Sequence, residues 1–193
     1  MGHGPSSRLR IRKADDPLEA PVGEILISED SIRKRVAELG SEISRDYKGK
    51  VPVLVNILKG GIIFLSDLVR ELDVLHEIDF MSVSSYDSQT ESTGVVRIIS
   101  DLSINIEGRD VIIVEDIVDS GLTLDYIRHI LRARHPRSLR ICTLLDKHAR
   151  RQVEVPLDYV GFEIPDAFVI GYGLDYIQKY RNLPYIAVLK LND

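Results

Sequence analysis

Three carboxylates, Glu115, Asp116 and Asp119, fall within five consecutive positions of the stretch VIIVEDIVDSGLTL, residues 111–124. Mutual repulsion disfavours their ionisation unless a cation or hydrogen-bond donor stands among them, so a partner is implied. Directly after them Ser120, Gly121, Leu122 and Thr123 form a small, hydroxylated stretch, followed by Leu124, Ile127, Ile130 and Leu131 at the spacing of one helix face. A loop that enters a helix N-terminus offers backbone N–H groups, the positive end of the helix dipole and, here, the hydroxyls of Ser120 and Thr123; that suits a phosphate. Phosphate on one part of the turn, with carboxylates for hydroxyls or a metal beside it, describes a site for a phosphorylated sugar. The plain alternative is a buried strand followed by a solvated acidic turn.

Two lysines have comparable placements. Lys59 follows the apolar run 51–58 and precedes Gly60 and Gly61, where missing side chains let backbone approach a ligand closely. Lys147 follows the run 140–146. Each also has a bland reading, as a strand-to-helix turn and as a surface lysine. Other chemistries find no support. No G-x-x-x-x-G-K-[ST] occurs, Gly171-Tyr172-Gly173 lacks the third glycine and following helix of a dinucleotide fingerprint, and the five histidines are scattered without metal-ligand spacing. The single cysteine, Cys142, excludes an internal disulfide and reads as a small buried hydrophobe.

The elements that must position these residues follow from apolar patterning. Val111 to Val114 are four β-branched residues in a row, as in a central strand buried on both faces of a parallel sheet. Strands are expected at 24–27, 51–58, 76–83, 94–99 and 140–146. Helices are expected from the caps Ser28 and Ser31 through Ile32, Val36, Leu39 and Ile43, and over 62–72, with Ile63, Leu65, Leu68, Val69 and Leu72 toward the sheet. Residues 84–94 carry one large side chain, Tyr86, and read as a mobile loop. Ligands of open α/β sheets gather at the C-terminal ends of the strands, where Lys59, the acids and Lys147 all fall. The expected fold is α/β, a parallel-sheet core flanked by helices.

The run at 111–124 resembles the phosphoribosyl pyrophosphate (PRPP) motif of type I phosphoribosyltransferases: an apolar strand, two acids, two apolar residues, then Asp and a small hydroxyl, Gly and Thr loop. The aromatic-rich segment 158–176 is similar to the purine-binding hood of the hypoxanthine phosphoribosyltransferases, and the likeness extends over about residues 22–189. The resemblance implies the type I phosphoribosyltransferase fold with a small hood subdomain built from the N-terminal segment and residues around 150–193. It implies purine salvage: hypoxanthine, and guanine as well, reacts with PRPP to give IMP or GMP and pyrophosphate, with Mg2+ as cofactor.

Residue by residue, the resemblance implies that Lys59 and Gly60 meet pyrophosphate through a Leu58–Lys59 peptide that is often cis. Glu115 and Asp116 grip the ribose hydroxyls directly or through metal, residues 119–123 bind phosphate, and Arg181 meets pyrophosphate. Asp119 is the general base and Lys147 donates to the purine's six-position oxygen. Phe168 stacks on the base, Val169 reads its edge through the backbone, and Asp175 helps Glu115 and Asp116 hold magnesium. Ser85 and Tyr86 match the Ser-Tyr pair of a lid loop, which would exclude water from the activated sugar. Departures are local: Ala167 stands where some relatives have a basic residue, and Asp87 where many have Gly. They bear on base preference and lid motion. A xanthine- or guanine-preferring enzyme and a PRPP-sensing, nucleic-acid-binding regulator on the same fold stay open as alternatives, as does an interaction domain that has lost catalysis.

A chain of 193 residues fits a single domain over 21–193, with residues 1–20 as a flexible tail. A net charge of -5 argues against a nucleic-acid footprint, and no stretch is apolar enough to span a membrane, so the expectation is a soluble cytoplasmic protein with small-molecule partners. The basic run 128–137 reads as a helix C-terminus stopped by Pro136. The family suggests a homodimer or homotetramer.

Overall fold

Strands whose residues are apolar on both faces have nowhere to go but the middle of a sheet, and the computed structural model places them there. It describes residues 22–88 and 91–190, with side chains described outside 85–96. The elements are β1 (Val22–Ile27), α1 (Glu29–Asp46), β2 (Val53–Leu58), α2 (Ile62–Arg70), β3 (Glu77–Ser88), β4 (Glu91–Ser100), β5 (Asp110–Val118), α3 (Leu122–Arg132), β6 (Ser138–Asp146), a short 3-10 turn (His148–Arg150), β7 (Tyr159–Glu163), β8 (Val169–Ile170) and β9 (Ile186–Leu189). Six strands form one sheet in the order β4-β3-β2-β5-β6-β7, parallel throughout except for the antiparallel β3–β4 edge. The core is the α/β sheet that the apolar runs predict.

Alternation along β5 divides the core. Ile112 and Val114 join Leu54, Leu144 and the inner faces of α1 and α2, whereas Val111 and Ile113 join Val53, Val55 and Ile141 beneath α3. Ser28 caps α1, its Oγ accepting from Ser31 N at 3.2 Å, with Glu29 and Asp30 favourably placed in the first turn. The α3 helix ends at Arg132, four residues before Pro136. No helix of the described residues is long and apolar enough to cross a membrane.

The second sheet has three strands in the order β1-β9-β8, so the beginning and end of the described chain pair with each other. It hangs Val169, and Phe168 beside it, over the C-terminal edge of the larger sheet.

Three expectations, the loop at 84–94, the inward Ile63 and the tail 1–20, need correction or restriction. Residues 84–94 are not a loop: the backbone of 84–88 and 91–94 belongs to the β3–β4 hairpin, where antiparallel pairing satisfies the polar residues' amides; residues 89–90 lie outside the described residues. In α2, Ile63 is 37% exposed while Phe64 is fully buried, because the buried stripe runs through Phe64, Leu65 and Leu68 at helical spacing. On β3 the mixed face, Asp79 and Met81, is the buried one, while Ile78 and Phe80 stay partly exposed. Asp79 is accommodated because it accepts the amides of Phe80, Ser103 and Ile104 at 2.7–2.8 Å, which holds its carboxyl below the usual range although burial opposes this. The segment 1–20 lies outside the described residues. Strand β7 has no counterpart among the expected strands.

Candidate active site

The ends of β2 and β5 lie side by side, Asn56 opposite Val114. Beyond β2 the Leu58–Lys59 peptide is cis and the chain turns through Gly60 and Gly61 into α2. This turn is wedged. A Cβ on Gly60 would fall on Asp116 Oδ2, one on Gly61 on Asn56 Nδ2, and one on Gly173 on the Gly60 carbonyl. Asn56 is fully buried and its Nδ2 donates to Val114 O at 2.9 Å, tying the turn to the acidic strand end.

Beyond β5, Gly121 adopts a left-handed φ of 83° at the start of α3. It makes no side-chain cap, so the helix N-terminus keeps its N–H groups for another acceptor; the one side-chain contact there is a long one from Leu122 N to Ser120 Oγ, 3.4 Å. A Cβ at Gly121 would fall on Val153 O, because residues 151–153 run beneath the turn: Gln152 N and Val153 N donate to Ser120 O at 2.9 and 3.1 Å. The buried Arg151 guanidinium donates to the carbonyl oxygens of Asp119 and Val118 and is paired with Asp146. A cavity of about 220 Å³ opens over this turn, lined by residues 115–121, Thr123 and Leu124.

Burial and the neighbouring Asp116 push the Glu115 carboxyl well up. Burial likewise raises Asp116, to about 6, with Asp175 adding to the rise and Arg181 opposing it. Both carboxyls at the strand end are thus held above the usual range, chiefly by burial, so a cation beside them would favour their charged forms.

An adjoining cavity of about 350 Å³ collects most of the remaining candidates. Lys59 and Gly60 form one wall, Asp116 and Asp119 the floor, and Phe168 and Val169 the opposite side, with Asp175 and Arg181 at the edge. Lys147 is buried there, its Nζ 3.2 Å from Asp119 Oδ2; Asp119 Oδ1 is buried without a partner. Phe168 is 52% exposed and meets Tyr176 edge-on at 5.9 Å, so its ring face is available. Arg181 pairs with Asp175 at 2.6 Å and donates to Gly173 O at 2.7 Å. A larger cavity of about 450 Å³ lies apart, between α1, α2 and residues 181–184, and shares only Arg181 with these groups.

Residues from both sheets therefore converge. Ser85 and Tyr86 lie in the β3 backbone, and their side chains are outside the described residues. Glu115, Asp116 and Asp175 do not make a ready metal cage: among the described residues no three His, Cys, Asp or Glu side chains cluster to hold an ion by themselves. Arg151, Asp166 and Asn56 take part in the site without any local sequence signal. Asp166 lies 3.1 Å from Lys147.

Comparison with known proteins agrees with this geometry. The chain is 52% identical over 169 residues to the hypoxanthine-guanine phosphoribosyltransferase of Bacillus subtilis, covering 88% of this chain and 94% of that one. It is 54% identical over 172 residues to the hypoxanthine phosphoribosyltransferase of Salmonella typhimurium, covering 88% and 97%. A crystal structure of a hypoxanthine phosphoribosyltransferase from Staphylococcus aureus superposes with a TM-score of 0.88 at 49% identity, over 92% of this chain and 97% of that one. The model of the phosphoribosyl transferase domain matches residues 23–177, which take in the wedged turn, the acids, the phosphate loop, Lys147 and Phe168, and the chain belongs to that family.

Proposed function

We propose that the protein is a hypoxanthine phosphoribosyltransferase that also accepts guanine, acting in cytoplasmic purine salvage: free base and PRPP become IMP or GMP and pyrophosphate. The observation that carries this reading is the Lys147–Asp119 pair, 3.2 Å apart, in one cavity with Phe168. A six-oxopurine presents an acceptor at its six position and an imidazole proton at N7 beside it, on a flat aromatic body. It calls for a donor and an acceptor side by side next to a ring face, and Lys147, Asp119 and Phe168 supply these.

Chemistry follows at C1′ of PRPP. Purine N9 forms the new bond as the bond to the pyrophosphate oxygen breaks, the N7 proton passes to the Asp119 carboxylate, and negative charge collects on pyrophosphate. Lys59 and Arg181 neutralise that charge, where differential stabilisation has most to gain. The 5′-phosphate sits on the turn 120–123 against the uncapped start of α3. Glu115 and Asp116 hold the ribose hydroxyls. Val169 reads the purine edge through its backbone, and Ser85 and Tyr86 close over the sugar; these two assignments rest on the family resemblance.

Magnesium in phosphate-handling sites is held by one or two carboxylates with substrate oxygens completing its shell, so a ready cage of three is not needed. Asp116 and Asp175 fit that pattern, since both line one cavity and the charge of Asp175 adds to the rise of Asp116, with Glu115 next to Asp116 in the strand. When bound, the ion supplies charge neutralisation on the pyrophosphate. Exposed Ile78, Phe80 and Ile99 on the β3–β4 edge support assembly as a homodimer or homotetramer.

The test is product formation from hypoxanthine, guanine, xanthine and adenine, each with PRPP and magnesium, alongside a chelated control. Fast conversion of hypoxanthine that is lost on chelation is expected, with guanine converted too. Turnover of xanthine alone, or of no base at all despite PRPP binding, overturns the reading.

A further inference from the structure

Lys147 has two carboxylates, not one. Its ammonium lies 3.2 Å from Asp119 Oδ2 and 3.1 Å from Asp166 Oδ1, and its side chain is 6% exposed. Behind Asp166 stands Arg150, whose Nε lies 3.0 Å from Oδ1 and 3.2 Å from Oδ2. Arg150, Asp166, Lys147 and Asp119 thus form a row of alternating charge from the protein surface into the cavity. Lys147 and Arg150 together hold the Asp166 carboxyl below the usual carboxylate range.

An ammonium carries three N–H donors and no acceptor. Two are committed to carboxylates, which leaves one to face the cavity. On the reading proposed above, that third donor meets the purine's six-position oxygen. The two carboxylates then have different fates: Asp119 takes the purine proton and loses its charge, and Asp166 takes no proton and keeps it. A buried ammonium left without a counter-charge is strongly disfavoured. With Asp119 as its sole partner, Lys147 would lean onto the base, occupying the acceptor needed for N7 and withdrawing its donor from the six position.

We propose that Asp166 is a positioning and specificity residue for the base: it draws the Lys147 ammonium away from Asp119 and fixes it as a donor toward the six position, selecting oxo-purines over amino-purines. An exocyclic amine at that position would turn its own N–H groups toward a group that can only donate. This recognition rests on the hypoxanthine reading but adds a residue outside the purine contacts.

The experiment is steady-state kinetics of the wild-type protein, Asp166→Asn and Asp166→Glu, varying hypoxanthine and PRPP separately, with adenine as competing base and a thermal melt of each protein. Asp166 is nearly half exposed, so both variants are expected to fold. Asp166→Asn should raise KM for hypoxanthine at least tenfold and leave KM for PRPP within about twofold, while adenine's competition against hypoxanthine strengthens; Asp166→Glu should recover most of the loss. Equal KM for hypoxanthine in wild type and Asp166→Asn, or a parallel rise in both KM values that Glu does not rescue, overturns the inference alone. Wild-type protein that converts no oxo-purine overturns the functional reading, and this one with it.

Discussion

Gly60 and Asp116 are in such close contact that the glycine's missing side chain is where the carboxylate lies: a Cβ on Gly60 would fall on Asp116 Oδ2. The turn after β2 and the acidic end of β5 are therefore one interlocked unit. Gly60→Ala must displace either the carboxylate or the turn, at a cost of roughly 1–3 kcal/mol. If that cost falls on substrate binding, KM for PRPP rises about 10-fold or more while KM for hypoxanthine changes little. Kinetics indistinguishable from wild type would mean that the two elements move independently.

Asp119 faces Lys147 with one oxygen and leaves the other without a partner. Replacing it by Asn keeps the shape and removes the proton acceptor. Turnover on hypoxanthine should fall roughly 10²-fold or more, and PRPP affinity, read by calorimetry on the same protein, should change by less than a few-fold. Undiminished turnover would remove Asp119 from the role of base.

Asp116 offers a test of pH dependence. Its carboxyl is raised to about 6 in the folded protein, above the value near 4 of an unfolded chain. Between those values the folded state binds the extra proton, so this group favours folding most below pH 4, and that contribution is lost as pH rises through 6. In chelated protein, Asp116→Asn should flatten this part of the stability profile. It should raise stability at pH 7 by on the order of 1–2 kcal/mol, discounted for partial exposure of the carboxylate. The same variant should lose PRPP binding. Thermal melts from pH 4 to 8 with parallel slopes for both proteins would refute the assignment.

Arg151 lies buried under the phosphate turn, paired with Asp146 and donating to the carbonyls of Val118 and Asp119. Arg151→Met fills the volume but strands the Asp146 carboxylate, and a loss of about 3 kcal/mol in denaturant unfolding is expected. KM for PRPP should rise as the turn loosens. A loss below about 0.5 kcal/mol would show that the pair contributes nothing to the turn.

How much of this could be read from residue order depends on the range of each signal. The strand at 111–114 and the turn at 119–123 announce themselves locally, because burial periodicity and loop chemistry both act within a few residues. Lys147 is marked only by its place after an apolar run, and Phe168, Asp175 and Arg181 are candidates through family likeness alone; the sheet order that sets β5 between β2 and β6 brings Lys59, the acids and Lys147 to one edge. Asp166 and Arg151 escaped both routes, since their roles depend on partners in other segments: Arg151 meets the carbonyl of Asp119, 32 positions away, and Asp166 meets Lys147 from beyond β7. The strand at 76–83 alternates imperfectly and does not declare its inner face; four hydrogen bonds to the Asp79 carboxylate allow the face it shares with Met81 to be the buried one.

Strand β1 pairs with β9, and β9 carries β8, which begins at Val169 next to Phe168. During translation the acids, the phosphate turn and Lys147 all leave the ribosome before residues 186–189 do. A nascent chain can thus assemble the side of the cavity formed by Lys59, Asp116, Asp119 and Lys147 while the wall at Phe168 and Val169 still lacks the strand that anchors it. On the proposed function, catalytic competence should then appear abruptly and late in synthesis, because an unfinished polypeptide that held PRPP would have no seated base with which to spend it.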